Sequence, residues 1–370
     1  MSLRDFKTAS ERHNFFVENL HISLKHIKQA LVDNEQDIHC ENVIGGISIP
    51  LGVAGPIKLR GHKGAYIPLA TTEGALIASV QRGTKAINAE GGADVFAYKT
   101  GATRGPVFYT GSIKNGVKLA EWLEKHKTKI KKVIESTSSH ITFKKMDEKI
   151  VGQHLFIRFQ CDTDQAMGMN MVTIGVQKAV AYITNKTKYE CVAVAGNYDI
   201  DKKPAWLNMI KSKGFEVCAD VVLTEETLKT VLKTTRTKLF NTWLAKCMIG
   251  SAMSGSLGFN AHYANIAAAF FAATGQDLAH TVEGSIGITT MHLNEGRTLT
   301  VSIYMPSVML GIVGGGTNLK TQSEARSITK TKTSEELACV LGGAVLAGEL
   351  SLLASLSEGS LATAHKRLGR

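Results

Sequence analysis

An acidic side chain lies where enzymes often place their chemistry. Glu73 follows a strand-like apolar run at 65–70 and precedes a segment with helical periodicity from about 74 to 87. A carboxylate at such a junction is held by a rigid scaffold next to a cleft, where it can act as a general acid. The alternative is an acid that only complements the positive end of the helix dipole.

The helix predicted at 74–87 has two faces. Leu76 and Val80 recur at helical spacing and are expected to pack against a core. Arg82 and Lys85 lie on the other side, one turn apart, where two cations repel unless water or an anion lies between them. This face is either solvated or a phosphate site, since arginine presents a fork that fits phosphate oxygens.

Two glycine-containing segments are candidates for binding a phosphate-bearing coenzyme. Residues 166–170 follow a strand-like run and begin a predicted helix, whose first amides suit a diphosphate, while Gly168 permits close approach. The segment lacks the G-x-G-x-x-G pattern of a Rossmann fold, and core packing by its methionines is the alternative. Residues 314–316 are three glycines, which alone indicate a flexible turn.

The composition argues against several classes of protein. The chain has 370 residues, of which 44% are hydrophobic, enough for two domains with a large core. Its net charge is +11, but the basic residues are dispersed among acids and only 6% of residues are aromatic, which argues against a nucleic-acid surface. A field that attracts small anions, or solubility alone, accounts for the charge.

The cysteines and the apolar runs bear on cellular location. Six cysteines are scattered without a C-x-x-C pair, which argues against a metal site or a disulfide framework and for a reducing compartment. No run reaches the ~18 apolar residues of a membrane helix, and the nearest, 266–274 and 338–347, are expected to be core helices. The N-terminus lacks the apolar core of a signal peptide. We therefore expect a cytoplasmic protein that does not contact a membrane.

The order of the predicted elements indicates one unit inserted within another. An amphipathic helix at 11–33 comes first. From about 106 to 194 the chain is typical of a compact α+β unit, which interrupts a larger one. Near the C-terminus a capping box begins at Thr333, apolar periodicity runs from 337 to 356, and Gly359 ends the helix.

Several short segments form an ordered set along the chain. They are 41–45, 50–56, 70–74, 104–106, 166–171, 196–204, 275–277, 314–317 and the late His365. Together they resemble the 3-hydroxy-3-methylglutaryl-coenzyme A (HMG-CoA) reductase family, in the order of that family and over about residues 40 to 370. The similarity is closest to the catalytic portion of the eukaryotic and archaeal type.

The resemblance implies an α+β fold in which a large substrate-binding domain carries an inserted small, ferredoxin-like coenzyme-binding domain. Segment 41–45 resembles the family's inter-subunit motif, so a homodimer or higher homo-oligomer is expected, with active sites between subunits. The implied bounds are 1–39 for an N-terminal helical segment, 40–105 and 195–350 for the large domain, 106–194 for the small NADP(H)-binding domain, and 351–370 for a mobile C-terminal flap.

The implied reaction is reduction of HMG-CoA to mevalonate and CoA with two NADPH, in isoprenoid biosynthesis. Lys202 matches the family's catalytic lysine, which stabilises the developing oxyanion. Glu73 matches the glutamate that donates a proton, and Asp277 matches the aspartate coupled to it. His365 matches the histidine that protonates the departing CoA thiolate. Pro204 keeps Lys203 out of helical geometry, so Lys202 and Lys203 are expected to lie on a turn.

The resemblance also implies the binding residues. Positions that hold the acyl group are matched by Arg104, Asp201, Lys203, Lys246 and Asn265, and positions near the CoA phosphates by Arg82 and Lys85. Positions that hold the coenzyme are matched by Ser138, Gln165, Met167, Gly168, Met169, Asn170, Gly314 and Gly315. No metal is implied.

Two departures from the family pattern bear on the choice of coenzyme. Gln165 replaces an aspartate, which removes a repulsion against the NADPH 2′-phosphate and a partner for the free ribose hydroxyl of NADH. Ser139 replaces an arginine near that phosphate, for which His140, Lys144 and Lys145 are substitutes. We predict NADPH, with NADH as the other possibility.

Two rival functions have a basis in the sequence. One is an NAD-dependent enzyme of the same fold that oxidises mevalonate, which coenzyme preference would separate from the biosynthetic enzyme. The other is a non-catalytic protein that binds CoA or nucleic acid, suggested by the charge alone. Joint retention of Glu73, Lys202, Asp277 and His365 argues against it. The direction in vivo and the choice between dimer and tetramer stay open.

Overall fold

The computed structural model is a mixture of helices and strands. It describes residues 6, 8–21, 23, 40–62 and 64–359, so His365 and the rest of 360–370 lie outside the described residues. The strands are β1 (Leu51–Ile57), β2 (Ala65–Ala70), β3 (Asp94–Arg104), β4 (Val107–Tyr109), β5 (Thr142–Val151), β6 (His154–Asp162), β7 (Glu190–Ala193), β8 (Gly214–Leu223), β9 (Ile288–Leu293) and β10 (Leu299–Val308).

The helices separate and cover these strands. They are α1 (Ala9–Leu20), α2 (Leu76–Ala89), α3 (Ile113–Glu135), α4 (Met169–Thr187), α5 (Trp206–Lys211), α6 (Glu225–Thr230), α7 (Arg236–Trp243), α8 (Ser251–Met253), α9 (Tyr263–Thr274), α10 (Thr281–Gly284), α11 (Lys320–Ser327) and α12 (Ser334–Glu358). A π-helical segment, Leu244–Gly250, joins α7 to α8.

The N-terminal helix α1 is shorter than its sequence predicts. The Thr8 hydroxyl accepts a hydrogen bond from the Glu11 amide at 3.1 Å, which begins the helix. His21 then adopts the left-handed conformation, with φ of 53°, and ends it. The predicted extent of 11–33 is therefore wrong, because an αL residue stops the helical hydrogen-bond ladder that apolar periodicity alone would continue. Within 24–39 the chain lies outside the described residues.

One large antiparallel sheet runs through the molecule. Its strand order is β7-β4-β6-β3-β8-β10-β9, and β5 also pairs with β6. β3 joins the two halves, because residues 94–101 pair with β8 while residues 102–104 pair with β6. β1 and β2 form a separate two-stranded sheet. The connection through β3 fixes the position of one half of the sheet relative to the other.

The main core surrounds α12. This helix packs against α2, α9, β3 and β8, and the backbones approach so closely that a Cβ added at Gly83 would lie 1.9 Å from the carbonyl oxygen of Ala347. By length and composition α12 could cross a membrane, but 94% of its most apolar window is buried inside the protein. The expectation that 338–347 is core is confirmed, as is the same expectation for 266–274 in α9.

A second core lies beside the first. Here α3 and α4 pack on one another and on strands of the β6 half of the sheet. Along the chain the elements run β4-α3-β5-β6-α4-β7, and in space the strands run β7-β4-β6-β5. The mixed α and β character predicted for the chain is confirmed.

The C-terminal helix begins and ends at the predicted residues. Thr333 accepts a hydrogen bond from the Glu336 amide at 3.1 Å, and Gly359 is left-handed with φ of 71°. The Glu336 carboxylate, however, binds the Lys332 amide at 2.6 Å rather than that of Thr333. The helix continues unbroken to Glu358 and is buried as far as Ala354, while a flap over 351–370 stays a prediction.

Candidate active site

The segment that carries Lys202 is an irregular turn between β7 and α5. Lys202 has φ of 57°, a left-handed conformation that non-glycine residues seldom adopt unless other contacts hold them. Its amide donates a hydrogen bond of 2.7 Å to Oε1 of the fully buried Glu283. The predicted turn before Pro204 is confirmed, and the buried carboxylate provides the restraint.

Lys202 and Asp277 form an ion pair at the protein surface. Lys202 Nζ lies 2.8 Å from Asp277 Oδ2, and the two side chains are 42% and 35% exposed. The hydrogen bond that the Lys202 ammonium donates to Asp277 raises the pKa of Lys202. Burial alone would raise the pKa of Asp277, but the hydrogen bonds from Lys202 and the Ala279 amide lower it below its ordinary value. At neutral pH the pair is therefore an ammonium and a carboxylate, open to a ligand.

A layer of buried charge lies beneath this pair. The fully buried Lys213 Nζ lies 2.7 Å from Asp201 Oδ1 and 3.3 Å from Glu283 Oε1. His280 Nδ1 lies 3.2 Å from the same Glu283 oxygen, and its Nε2 lies 3.7 Å from Asp277 Oδ2. Burial alone would raise the pKa of Asp201, but the Lys213 ammonium lowers it. This layer holds both ends of the Lys202–Asp277 pair.

The same cluster has the composition of a cation site. Ligand atoms of Asp201, His280 and Glu283 lie within 4.8 Å of one another. The Lys213 ammonium already contacts two of these three side chains. Because a lysine supplies the positive charge between the carboxylates, the geometry favours an ion-pair network here.

Arg104 lies on the inner side of this network. Its Nη1 lies 3.1 Å from Asp199 Oδ2 and 3.9 Å from Asp201 Oδ2. Burial raises the pKa of Asp199, although Arg104 and Lys213 oppose the shift. Arg104 is thus placed to orient Asp201, and direct contact with substrate stays a prediction.

A cleft of about 800 Å³ adjoins the Lys202 turn. Pro204 lines one side, and Lys246 on the π-helical segment lines it too. Lys203, predicted to bind the acyl group, is exposed, with Nζ 3.3 Å from the carbonyl oxygen of Asp201. Asn265 is exposed on α9, and its amide nitrogen lies 3.3 Å from His262 Nδ1. The polar lining residues of the cleft include Ser251, Ser254, Ser256, Asn260 and His262.

Glu73 is not part of the Lys202–Asp277 pair within one chain. Its side chain is exposed and its amide donates to the Thr71 hydroxyl at 3.0 Å. Across the described ranges, no hydrogen bond or ion pair joins the Glu73 carboxylate to either member of the pair. Of the four predicted catalytic residues, the structure thus brings Lys202 and Asp277 together and leaves Glu73 apart from them, while His365 lies outside the described residues.

The two cations predicted on α2 have different surroundings. Arg82 Nε lies 3.1 Å from the Ser351 hydroxyl on α12, and its Nη2 contacts Ser351 and Ser355. Burial lowers the pKa of Arg82, against the attraction of Glu358. Lys85 alone faces solvent. The solvated alternative does not hold for Arg82, because its guanidinium contacts Ser351 and Ser355 of α12. A CoA-phosphate role for Arg82 or Lys85 stays a prediction.

The two predicted coenzyme segments lie side by side. Ala166 and Val313 form a parallel β-bridge, and a Cβ added at Gly311 would lie 2.3 Å from the Met167 amide nitrogen. Gly168 has φ of 84° and begins α4 without a side-chain cap. Gly314 and Gly315 are both left-handed, with open space where side chains would be. Met167 is half-buried, Met169 is buried and Asn170 is exposed.

Two of the three cations considered as phosphate anchors, His140 and Lys144, already lie beside carboxylates. His140 Nδ1 lies 2.9 Å from Asp164 Oδ2, and the Ser138 hydroxyl accepts from the His140 amide at 3.1 Å. Lys144 Nζ lies 3.6 Å from Asp162 Oδ2. The hydrogen bond from His140 lowers the pKa of Asp164. A phosphate would therefore compete with two carboxylates for these side chains.

Comparison with known proteins identifies the family. The family model for hydroxymethylglutaryl-coenzyme A reductase matches residues 8–370. The chain belongs to the hydroxymethylglutaryl-coenzyme A reductase family. It is 45% identical to the reductase of Methanocaldococcus jannaschii, over 98% of this chain and 93% of that protein. It is 43% identical to reductase 2 of Dictyostelium discoideum, over 90% of this chain and 65% of that protein.

The fold comparison agrees with this membership. A class II HMG-CoA reductase from Streptococcus pneumoniae, solved with NADPH, aligns with a TM-score of 0.71 over 95% of this chain and 97% of that one. The two are 17% identical, so the likeness concerns the fold. The predicted similarity to archaeal and eukaryotic members of the HMG-CoA reductase family is confirmed. The chain is an oxidoreductase, which sets aside the non-catalytic rival.

Sequence reasoning missed much of the support for this reductase site. His280 and Glu283 stand three residues apart just after Asp277, a spacing that places them on one helical face and was a usable signal. Glu349 was another, because it is the one charged residue in the largely apolar stretch 337–357. Lys213 carries no signal of its own, because its role depends on carboxylates 12 and 70 residues away.

Proposed function

We propose that this enzyme reduces HMG-CoA to mevalonate and free CoA with two NADPH. The main support is the Lys202–Asp277 ion pair beside the cleft, in a chain that belongs to this family. In this pair Lys202 Nζ lies 2.8 Å from Asp277 Oδ2. For each HMG-CoA, two hydrides and two protons are taken up, and mevalonate, CoA and two NADP⁺ result.

The ammonium of Lys202 stabilises the charge that develops on the thioester oxygen. The attraction between a fixed positive group and the oxyanion is stronger in the transition state than in the ground state, and no solvent has to reorganise around the group. Asp277 holds the ammonium in place, and Glu283 holds the backbone that carries it. NADPH, when bound, supplies hydride. Lys203, Lys246 and Asn265 bind the carboxylate and hydroxyl of the acyl group.

Glu73 donates the proton from a second subunit. Its carboxylate is exposed and joined to neither Lys202 nor Asp277 in its own chain, as an active site built between subunits requires. Segment 41–45 contributes to the dimer contact. His365 protonates the departing thiolate, so that CoA does not add back to the aldehyde.

The region 106–194 forms the coenzyme-binding domain of this proposal. The succession β4-α3-β5-β6-α4-β7 with strand order β7-β4-β6-β5 supports a ferredoxin-like unit. The residues present fit a dinucleotide, since α4 begins at Gly168 without a side-chain cap and the open glycines 314 and 315 lie close by. All six cysteines are free thiols that form no disulfide. This supports a reducing, cytoplasmic setting.

Consumption of NADPH with HMG-CoA as substrate tests the proposal. The purified protein should oxidise two NADPH for each HMG-CoA, and mevalonate and a free thiol should appear together. Acetyl-CoA serves as the control, because it has the same CoA portion without the branched acyl acid. The proposed function would be refuted if NADPH were oxidised without formation of mevalonate, or if it were oxidised only when acetyl-CoA was the substrate.

A further inference from the structure

A buried carboxylate outside the catalytic cluster supports one wall of the cleft. Glu349 is fully buried in α12, and it is the one charged residue in the largely apolar stretch 337–357 of that helix. Across the described parts of the chain, no Lys, Arg or His side chain forms an ion pair with it. An ionisable group in such a place is unfavourable unless hydrogen bonds compensate, so its retention calls for a specific role.

Three donors converge on this carboxylate. The amides of Ala261 and His262 each donate a hydrogen bond of 2.8 Å, one to either carboxylate oxygen. The Thr289 hydroxyl donates a third, of 2.7 Å. The two amides belong to the residues that immediately precede α9, so Glu349 fixes the backbone that leads into that helix from a distance of 88 residues along the chain.

The capped segment forms part of the cleft. Asn260, Ala261 and His262 line it, and the imidazole of His262 lies against α12 where Gly348 leaves room, since a Cβ there would lie 3.3 Å from Nε2. His262 Nδ1 in turn lies 3.3 Å from the amide nitrogen of Asn265. A continuous series of contacts therefore runs from Glu349 through His262 to Asn265.

We infer that Glu349 is a positioning residue for acyl-group binding, which it performs by fixing the backbone at 261–262 and, through His262, the orientation of the Asn265 amide. The inference rests on the proposed function, because it takes Asn265 as a contact of the acyl group. It concerns the acyl group alone, so the binding of NADPH should not depend on Glu349.

Substitution Glu349→Gln tests the inference. The side chain keeps its size, but one oxygen acceptor becomes an NH₂ donor that faces a backbone donor. Loss of one charge-assisted hydrogen bond should raise KM for HMG-CoA about tenfold, with KM for NADPH unchanged. Leu350→Ala, at the neighbouring fully buried position, is the matched control, because it should lower the melting temperature without changing KM for HMG-CoA.

A double-mutant cycle separates positioning from general support of the fold. If Glu349 acts through Asn265, then Asn265→Ala alone and Asn265→Ala with Glu349→Gln should have the same KM for HMG-CoA, within about twofold. Additive increases, or an equal rise in KM for NADPH in Glu349→Gln, would overturn the inference. Failure of the wild type to reduce HMG-CoA would instead refute the proposed function.

Discussion

The side-chain oxygen of Gln165 accepts a hydrogen bond of 2.8 Å from the amide of Ser334. The residue that precedes the coenzyme segment 166–170 is thereby joined to the first residue of α12. The side chain is committed to a structural contact, and its amide nitrogen lies 3.4 Å from Asp164. The residue thus carries no charge that would repel a 2′-phosphate or pair with a ribose hydroxyl.

Coenzyme preference follows from this arrangement. Wild type should use NADPH with a higher kcat/KM than NADH, and Gln165→Asp should shift the ratio toward NADH, because a carboxylate repels the 2′-phosphate and accepts from a free hydroxyl. Steady-state kinetics with both coenzymes measure the ratio. Gln165→Glu is the control, since it adds the charge while keeping the length that reaches Ser334. Better use of NADH by the wild type would contradict this prediction and favour the degradative direction.

Removal of the Lys202 ammonium should abolish turnover without unfolding the protein. Lys202→Ala is expected to lower kcat at least 100-fold, which corresponds to about 3 kcal/mol of lost oxyanion stabilisation. Lys211→Ala provides the control. Lys211 lies away from the cleft, and its Nζ is 2.8 Å from Asp147 Oδ2. A folded Lys202→Ala that kept a tenth of wild-type turnover would show that another group stabilises the oxyanion.

Two inactive variants should restore activity when combined in one dimer. Glu73→Gln and Lys202→Ala should each be inactive alone. If each site takes Glu73 from one subunit and Lys202 from the other, random mixing should give about a quarter of wild-type activity, because half the dimers are mixed and each has one intact site. Co-expression with two affinity tags isolates the mixed dimer. No recovery in that species would place both residues in the same subunit's site.

The Lys202–Asp277 pair should make stability depend on pH at both extremes. The folded-state pKa of Asp277 is lowered, so its contribution is present above its ordinary value of 3.8 and is lost as pH falls through the folded value. The pKa of Lys202 is raised, so its contribution is present below 10.5 and is lost as pH rises through the folded value. Urea unfolding should show Asp277→Asn less stable than wild type at pH 7, with a difference in unfolding free energy that shrinks as pH falls below 3.8. If the difference in unfolding free energy between wild type and Asp277→Asn did not change with pH, the lowered pKa of Asp277 would be contradicted.

His365 should matter for one half-reaction and not the other. His365→Gln is expected to impair reduction of HMG-CoA strongly, while reduction of free mevaldehyde, which expels no thiolate, should be nearly normal. Both reactions can be followed by NADPH absorbance on one preparation, so each serves as the control for the other. Equal loss in both would remove the thiolate-protonation role.

Local signals predicted some features of this protein well. The cap at Thr333, the stop at Gly359 and the turn before Pro204 each depend on residues close in sequence, and all three are present. The Lys202–Asp277 pair was indicated by ordered motifs, whose spacing reflects a shared fold.

Other features depend on contacts between distant segments. Periodicity placed Arg82 on the face of α2 opposite Leu76, but it carried no information about α12, which covers that face. Lys213 and Glu349 likewise acquire their roles only when strands and helices far apart in sequence come together. Such positions can be found from sequence only as charged residues in apolar surroundings.

The helix α12 carries three contacts at different turns: Ser334 with Gln165, Glu349 with the wall of the cleft, and Ser351 with Arg82. Because an α-helix rotates about 100° and rises about 1.5 Å per residue, the angular phase of these positions is as important as their identity. Insertion of one residue between Ser334 and Glu349 would turn the carboxylate away from α9 while the cap at Thr333 stayed in place. Relatives should therefore tolerate substitutions along this helix far more readily than any change in its length.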